Sequence, residues 1–177
     1  MSRNDDTIVR LSGLKPGSYN YRFELGKEFF GRYENEEIRD GKVEIEAVLV
    51  KTERVMVINF TLKGEVTTLC DRCLGEMRVP IEGEESLNIR LSDTEVSDDE
   101  NVAILPEGAF EIDLAQWLYE YVAVRIPLQH IHAEGECDEE TVSYIKSEEE
   151  LQRAKEESEE GDPRWAALKE LRGNGGE

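Results

Sequence analysis

The sequence predicts an α+β fold: a mainly antiparallel sheet, one helix packed on it, and an acidic C-terminal arm. Three observations carry this. Between Val43 and Leu91 the chain is rich in Val, Ile, Phe and Thr and repeatedly alternates apolar with polar residues, the period of half-buried strands. Leu114, Trp117, Leu118, Tyr121 and Val122 then recur at helical spacing and form one apolar stripe. From Asp138 onward charged residues dominate and apolar ones are few. A barrel-like curl is one option for the sheet. The expected organisation is a globular domain over 1–137, a charged helix or disordered segment over 138–162, and a short amphipathic helix with a frayed end over 163–177.

Residues 7–26 predict two short strands. In the second, Tyr19, Tyr21, Phe23 and Leu25 share one face after the turn signal Lys15-Pro16-Gly17. Phe29, Phe30 and Tyr33 fit a helical turn. Val43, Ile45, Ala47 and Leu49 then line one face of a strand, with Val48 and Val50 on the other. A loop near Thr52 leads into a long strand from Val55 to Leu69, so the pair is expected to form a hairpin. A third strand runs from near Met77 to Leu91, with a break expected at Gly83. Residues 92–103 are acidic and nearly free of apolar content, which predicts an exposed connection before order resumes at Phe110. Asp113 is the expected N-cap of the helix, with Gln116 as its capping-box partner, and Pro127 ends it. The aromatic residues of the stripe are expected in the core. Trp165, Leu168 and Leu171 share a face of the last predicted helix.

Charge restricts the partners. The 177 residues hold 41 acids against 21 bases, a net charge of −20. A nucleic-acid binder ordinarily presents a basic surface, so electrostatics favour a basic protein over bare RNA as the direct partner. The apolar runs are too short to span a bilayer. The N-terminus lacks a signal-peptide core, and a cytoplasmic location with reduced thiols is expected. There is no phosphate-binding Gly-rich loop, no GxSxG and no HExxH, so a non-enzyme is expected.

The chemistry concentrates in the cysteines. Cys70-x2-Cys73 stands at the tip between two antiparallel strands, and Cys137 follows His132 with four residues between. Three thiolates and an imidazole suit a tetrahedral, closed, structural zinc site with no position left for substrate. His130 competes with His132 for the fourth place. The alternatives are ordinary small residues, a redox pair, or a Cys137 unrelated to the others. A redox CxxC usually starts a helix, where the first thiol is acidified; this one follows a strand. The core is large enough to fold without metal, so metal loss is expected to loosen the tip only.

Several segments, in order and spacing, resemble the YceD-like family of bacteria and plastids, the large ribosomal RNA subunit accumulation proteins. They are Cys70-Asp71-Arg72-Cys73-Leu74, Glu111-Ile112-Asp113-Leu114, Arg125-Ile126-Pro127-Leu128, His132 with Cys137, and Asp162-Pro163-Arg164-Trp165 with Leu168-Lys169. The resemblance implies a role in producing or stabilising 23S ribosomal RNA, metal binding, and His132 as the histidine ahead of the last cysteine. Not every relative keeps the full ligand set. The expected partner is the precursor large subunit or its rRNA, with Arg72, Arg78 and Lys63 as contact residues. The alternative is an acidic chaperone for a basic ribosomal protein.

Overall fold

The structure is a computed structural model that describes residues 5–33, 37–53, 55–94, 96–143, 150 and 153. The chain forms two compact units, Met1–His132 and Ala133–Glu177. The first unit carries two sheets. One pairs β1 (Ile8–Arg10) with β7 (Glu111–Asp113). The other has five strands in the order β2 (Gly17–Leu25), β3 (Asp40–Lys51), β4 (Met56–Leu69), β5 (Glu76–Leu91), β6 (Val102–Leu105). Every neighbour in it is antiparallel except β5 with β6. The class is therefore α+β, as expected. The sheet does not close into a barrel: β2 and β6 are its two ends.

Alternation explains why this sheet forms and which face it buries. Ile45, Ala47 and Leu49 of β3 face Leu62, Phe60 and Ile58 of β4 across the ladder, and all six are buried, as is Val43 opposite Gly64. Val79, Ile81, Leu87 and Ile89 continue the layer on β5. Burying such side chains stabilises by about 1.5–3 kcal/mol each relative to exposure. Two helices pack into this core. In α1 (Lys27–Phe30) both Phe29 and Phe30 are buried. In α2 (Ala115–Ala123) Leu118, Tyr119, Tyr121 and Val122 are buried, and the Tyr121 ring lies 5.4 Å from that of Phe60.

Several expectations are corrected. The break at Gly83 does not exist: β5 runs on, and Gly83 pairs with Leu62. A Cβ there would collide with the Arg125 guanidinium, which bonds the Glu84 carbonyl at 3.1 Å and pairs with Glu85 at 2.9 Å. The glycine makes room for this clamp between the end of α2 and the sheet. Val102–Leu105, expected as loop or its margin, is the edge strand β6. Asp113 is still in β7, because buried Leu114 takes the cap position. The Asp113 Oδ1 accepts the Ala115 N–H at 3.0 Å and the Thr7 hydroxyl at 2.8 Å. Gln116 bonds Glu120 at 2.6 Å instead of closing a capping box.

In the second unit, α3 spans Glu139–Ser143. Asp138 caps it, accepting the Thr141 amide and hydroxyl at 2.8 and 2.6 Å, and these bonds hold its carboxyl below the ordinary range. Most of the acidic segment 144–162 and the whole predicted helix over 163–177 lie outside the described residues. Among the described residues no helix is long and apolar enough to cross a membrane.

Candidate metal centre

The turn that joins β4 to β5 is built by its own backbone. The Leu74 N–H donates to the Cys70 carbonyl at 2.9 Å and the Cys70 N–H to the Gly75 carbonyl at 2.8 Å. Closing so tight a turn places Leu74 at φ +57°. That left-handed conformation costs an ordinary side chain roughly 1 kcal/mol. The turn buries Cys70 and Cys73 and leaves Asp71, Arg72 and Leu74 exposed.

A second strip of chain, after α2, is sewn to this turn. The Asp71 N–H donates to the His130 carbonyl at 2.9 Å, and the His130 N–H donates to the Asp71 Oδ2 at 2.8 Å. The His130 ring is used in full: Nδ1 lies 2.9 Å from the Pro127 carbonyl and Nε2 lies 3.2 Å from the Thr68 hydroxyl. A carbonyl can only accept, so Nδ1 carries the proton and Nε2 receives the hydroxyl. His130 is thereby a brace, and neither nitrogen is turned to the cysteines.

His132 is turned to them. Its Nδ1 lies 3.3 Å from the Cys73 sulfur, and its Nε2 lies 3.1 Å from the Glu76 carbonyl. The carbonyl again demands N–H at Nε2, which leaves Nδ1 able to coordinate. Orienting a histidine through its second nitrogen is the usual support for a metal ligand. The Cys70 sulfur accepts the Arg72 and His132 amides, both at 3.4 Å. Burial alone would push the Cys70 thiol up, but amide bonds from Cys73, His132 and Arg72 outweigh it and bring the pKa down to about 6. Contact with the Cys73 thiol, and then the Glu76 carbonyl, raises that of His132. Both shifts favour a thiolate in the pocket.

The ligand atoms of Cys70, Cys73, His132 and Cys137 all lie within 4.8 Å of one another. At tetrahedral angles, sulfurs about 2.3 Å from zinc stand about 3.8 Å apart. The donor set and its spacing therefore fit a four-coordinate soft-ligand metal, with contraction of about an ångström at most. The set leaves no coordination position for a substrate.

The sequence-predicted contact residues do not gather in the same way. Arg72 stands exposed on the turn. Arg78 lies on the outer face of β5 and pairs with Glu65 at 3.2 Å. Lys63 lies on the outer face of β4, between Glu44 and Glu82 across the ladder. The register puts Arg78 opposite Thr67, four residues and so roughly 13 Å along β4 from Lys63. Acids interrupt the three bases, and they form no continuous basic stripe. Sequence reasoning missed the structural use of Asp71, the Glu76 carbonyl and Thr68. Of these only Asp71, inside the CxxC itself, had a position that pointed to the site.

Comparison with curated proteins and with solved structures finds no significant match. Residues 58–172, nearly two-thirds of the chain, match the family described as large ribosomal RNA subunit accumulation protein YceD. The match begins in β4 and covers the turn, β5, α2 and all four clustered residues. The family is named for accumulation of an RNA and not for a reaction. The chain belongs to the YceD family of large ribosomal RNA subunit accumulation proteins.

Proposed function

We propose that the chain is a non-enzymatic factor that supports the synthesis, processing or stability of 23S ribosomal RNA by docking on the precursor large subunit. We assign Cys70, Cys73, His132 and Cys137 as ligands of a structural zinc. The observation that carries this is the convergence of every cysteine in the sequence on one cluster in a chain whose family is named for large-subunit RNA accumulation. When bound, zinc supplies a crosslink and no reactive position. The protein's own groups set its orientation: the Glu76 carbonyl aims His132, His130 and Asp71 fix the strip behind it, and backbone amides stabilise the Cys70 thiolate.

The test is depletion of the chain in its native host, followed by the ratio of large- to small-subunit rRNA. The expected result is a fall in the large-subunit RNA, restored by the wild-type chain. An unchanged ratio rules the reading out.

A second reading, an acidic chaperone for a basic ribosomal protein, is favoured by the net charge of −20. It predicts that deletion of 138–162 abolishes the complex with that protein.

A further inference from the structure

The tip around the candidate metal centre also carries three exposed apolar side chains. Leu74 is 68% exposed on the turn. Leu128 is fully exposed, and Ile131 is more than one-third exposed, on the strip that the Asp71–His130 bonds tie to that turn. Single exposed leucines are ordinary on a protein surface. Leu74 is different because it sits at φ +57°, where glycine is the default residue. A leucine held there with most of its side chain in water gains little burial in return for the strain. Strain of this kind, kept at a rigid site, points to use of the side chain.

We propose that Leu74, Leu128 and Ile131 form a docking knob that seats in an apolar pocket on a basic protein of the precursor large subunit. The inference rests on the functional reading above and names the surface and partner for it. Charge selects the protein. Asp71 and Glu76 are exposed beside the knob against Arg72, and the chain as a whole is at −20. Three thiolates and a neutral histidine around a divalent ion carry a formal charge of −1, so metal does not make the tip basic. An RNA surface would need an excess of Lys and Arg. A second copy would bring one acidic tip against another. A basic partner with an apolar pocket satisfies both the leucines and the charge, in the usual pattern of an apolar interface core with a polar rim.

The test uses the full metal-loaded chain and the double variant Leu74→Gly with Leu128→Ser. Glycine suits the turn, so the variant removes the knob without straining the fold. The probes are large-subunit ribosomal proteins stripped of RNA and, separately, protein-free large-subunit rRNA. The wild type is expected to retain a basic protein from the first probe and the variant at least tenfold less, with equal metal content and equal circular dichroism. Equal retention by the two chains, or none by the wild type, overturns the proposal. So does rRNA retained by the wild type and lost by the variant, which assigns the knob to RNA. A wild-type dimer in sedimentation that the variant lacks also overturns it, in favour of a second copy. Depletion in the native host separates the two levels. Normal large-subunit rRNA after depletion ends the functional reading, whereas a lowered level fully restored by the double variant ends the docking knob alone.

Discussion

The middle of the sheet and the tip of its longest hairpin are the same two strands held in different ways. Around Phe60 the strands are locked by side chains that are almost wholly buried, on β3, β4 and β5 at once. At the tip, a dozen residues further along, order comes from polar bonds: Asp71 with His130, His132 with Glu76, and amides to the Cys70 sulfur. Apolar packing is redundant and cooperative. A polar knot is specific, and each bond in it has a single donor. Damage to the first should therefore be global, and damage to the second local.

The largest effect should come from Phe60→Ala. Phe60 is 1% exposed and packs on Tyr121, and truncating such an aromatic costs roughly 3–5 kcal/mol. Denaturant titration should show the whole sheet unfolding at a much lower midpoint. If the loss is under about 1 kcal/mol, the core is not the cooperative element that carries the fold.

Cys73→Ser should do less to the fold and more to the metal. Content is expected to fall from about one zinc per chain toward none. Amide exchange should quicken at Asp71, Leu74 and His130, while the unfolding midpoint moves by less than half the Phe60→Ala shift. His132→Ala should match it. His130→Ala should keep the metal but weaken it by roughly 10–100-fold, the usual result of losing a supporting contact. Equal metal loss in the two histidine variants would contradict the division of labour between them.

The difference between the regions also decided what could be foreseen. The strands around Val43–Leu49 and Val55–Leu69 were legible because alternation is a local signal, and the candidate ligand cluster because all three cysteines fall in it. What escaped depends on partners distant in sequence. Gly83 looked like a break because Arg125, which fills its space, lies on another element. Four residues of β6 beside an acidic loop are too few for a period to show. His130 and His132 look alike by spacing; only the Pro127 carbonyl, Thr68 and the Glu76 carbonyl separate them. The φ of Leu74 follows from how the turn closes and leaves no mark in composition.

The pH axis should separate the regions again. Tyr33 stacks on Tyr119 at 3.8 Å, and burial first, then Asp113, pushes its hydroxyl up to about 12. Tyr121 is pushed to about 12 by burial and then Glu85. A raised acid of this kind stabilises fully below its ordinary value of 10.0 and loses that contribution as pH climbs through about 12. The sheet should hold its midpoint from neutral pH to about 9 and fall from there to 12, less steeply in Tyr33→Phe. The tip runs the other way. In metal-free protein Cys70, lowered from 9.0 to about 6, contributes fully above pH 9 and loses that contribution as pH falls through 6. Protection factors of the tip amides should therefore fall on acidification while those of the sheet hold. A tip insensitive to acid would mean the amide bonds to the Cys70 sulfur do not hold a thiolate.

The smallest effect should be Leu74→Gly, and its sign is the sharpest contrast between the regions. In the sheet, deleting an apolar side chain opens a cavity. At Leu74 it opens none, because 68% of the residue already meets water. Glycine relieves a left-handed backbone worth roughly 1 kcal/mol and forfeits about 0.5–1 kcal/mol of chain entropy. The two nearly cancel, so stability should stay within about half a kcal/mol of wild type, with the metal content unchanged. A drop of about 2 kcal/mol or more would mean that Leu74 is packed and belongs to the core regime. A variant as stable as the wild type would mean that folding does not require the leucine, and its presence in a strained, solvent-facing turn would then have to be explained by what the tip touches.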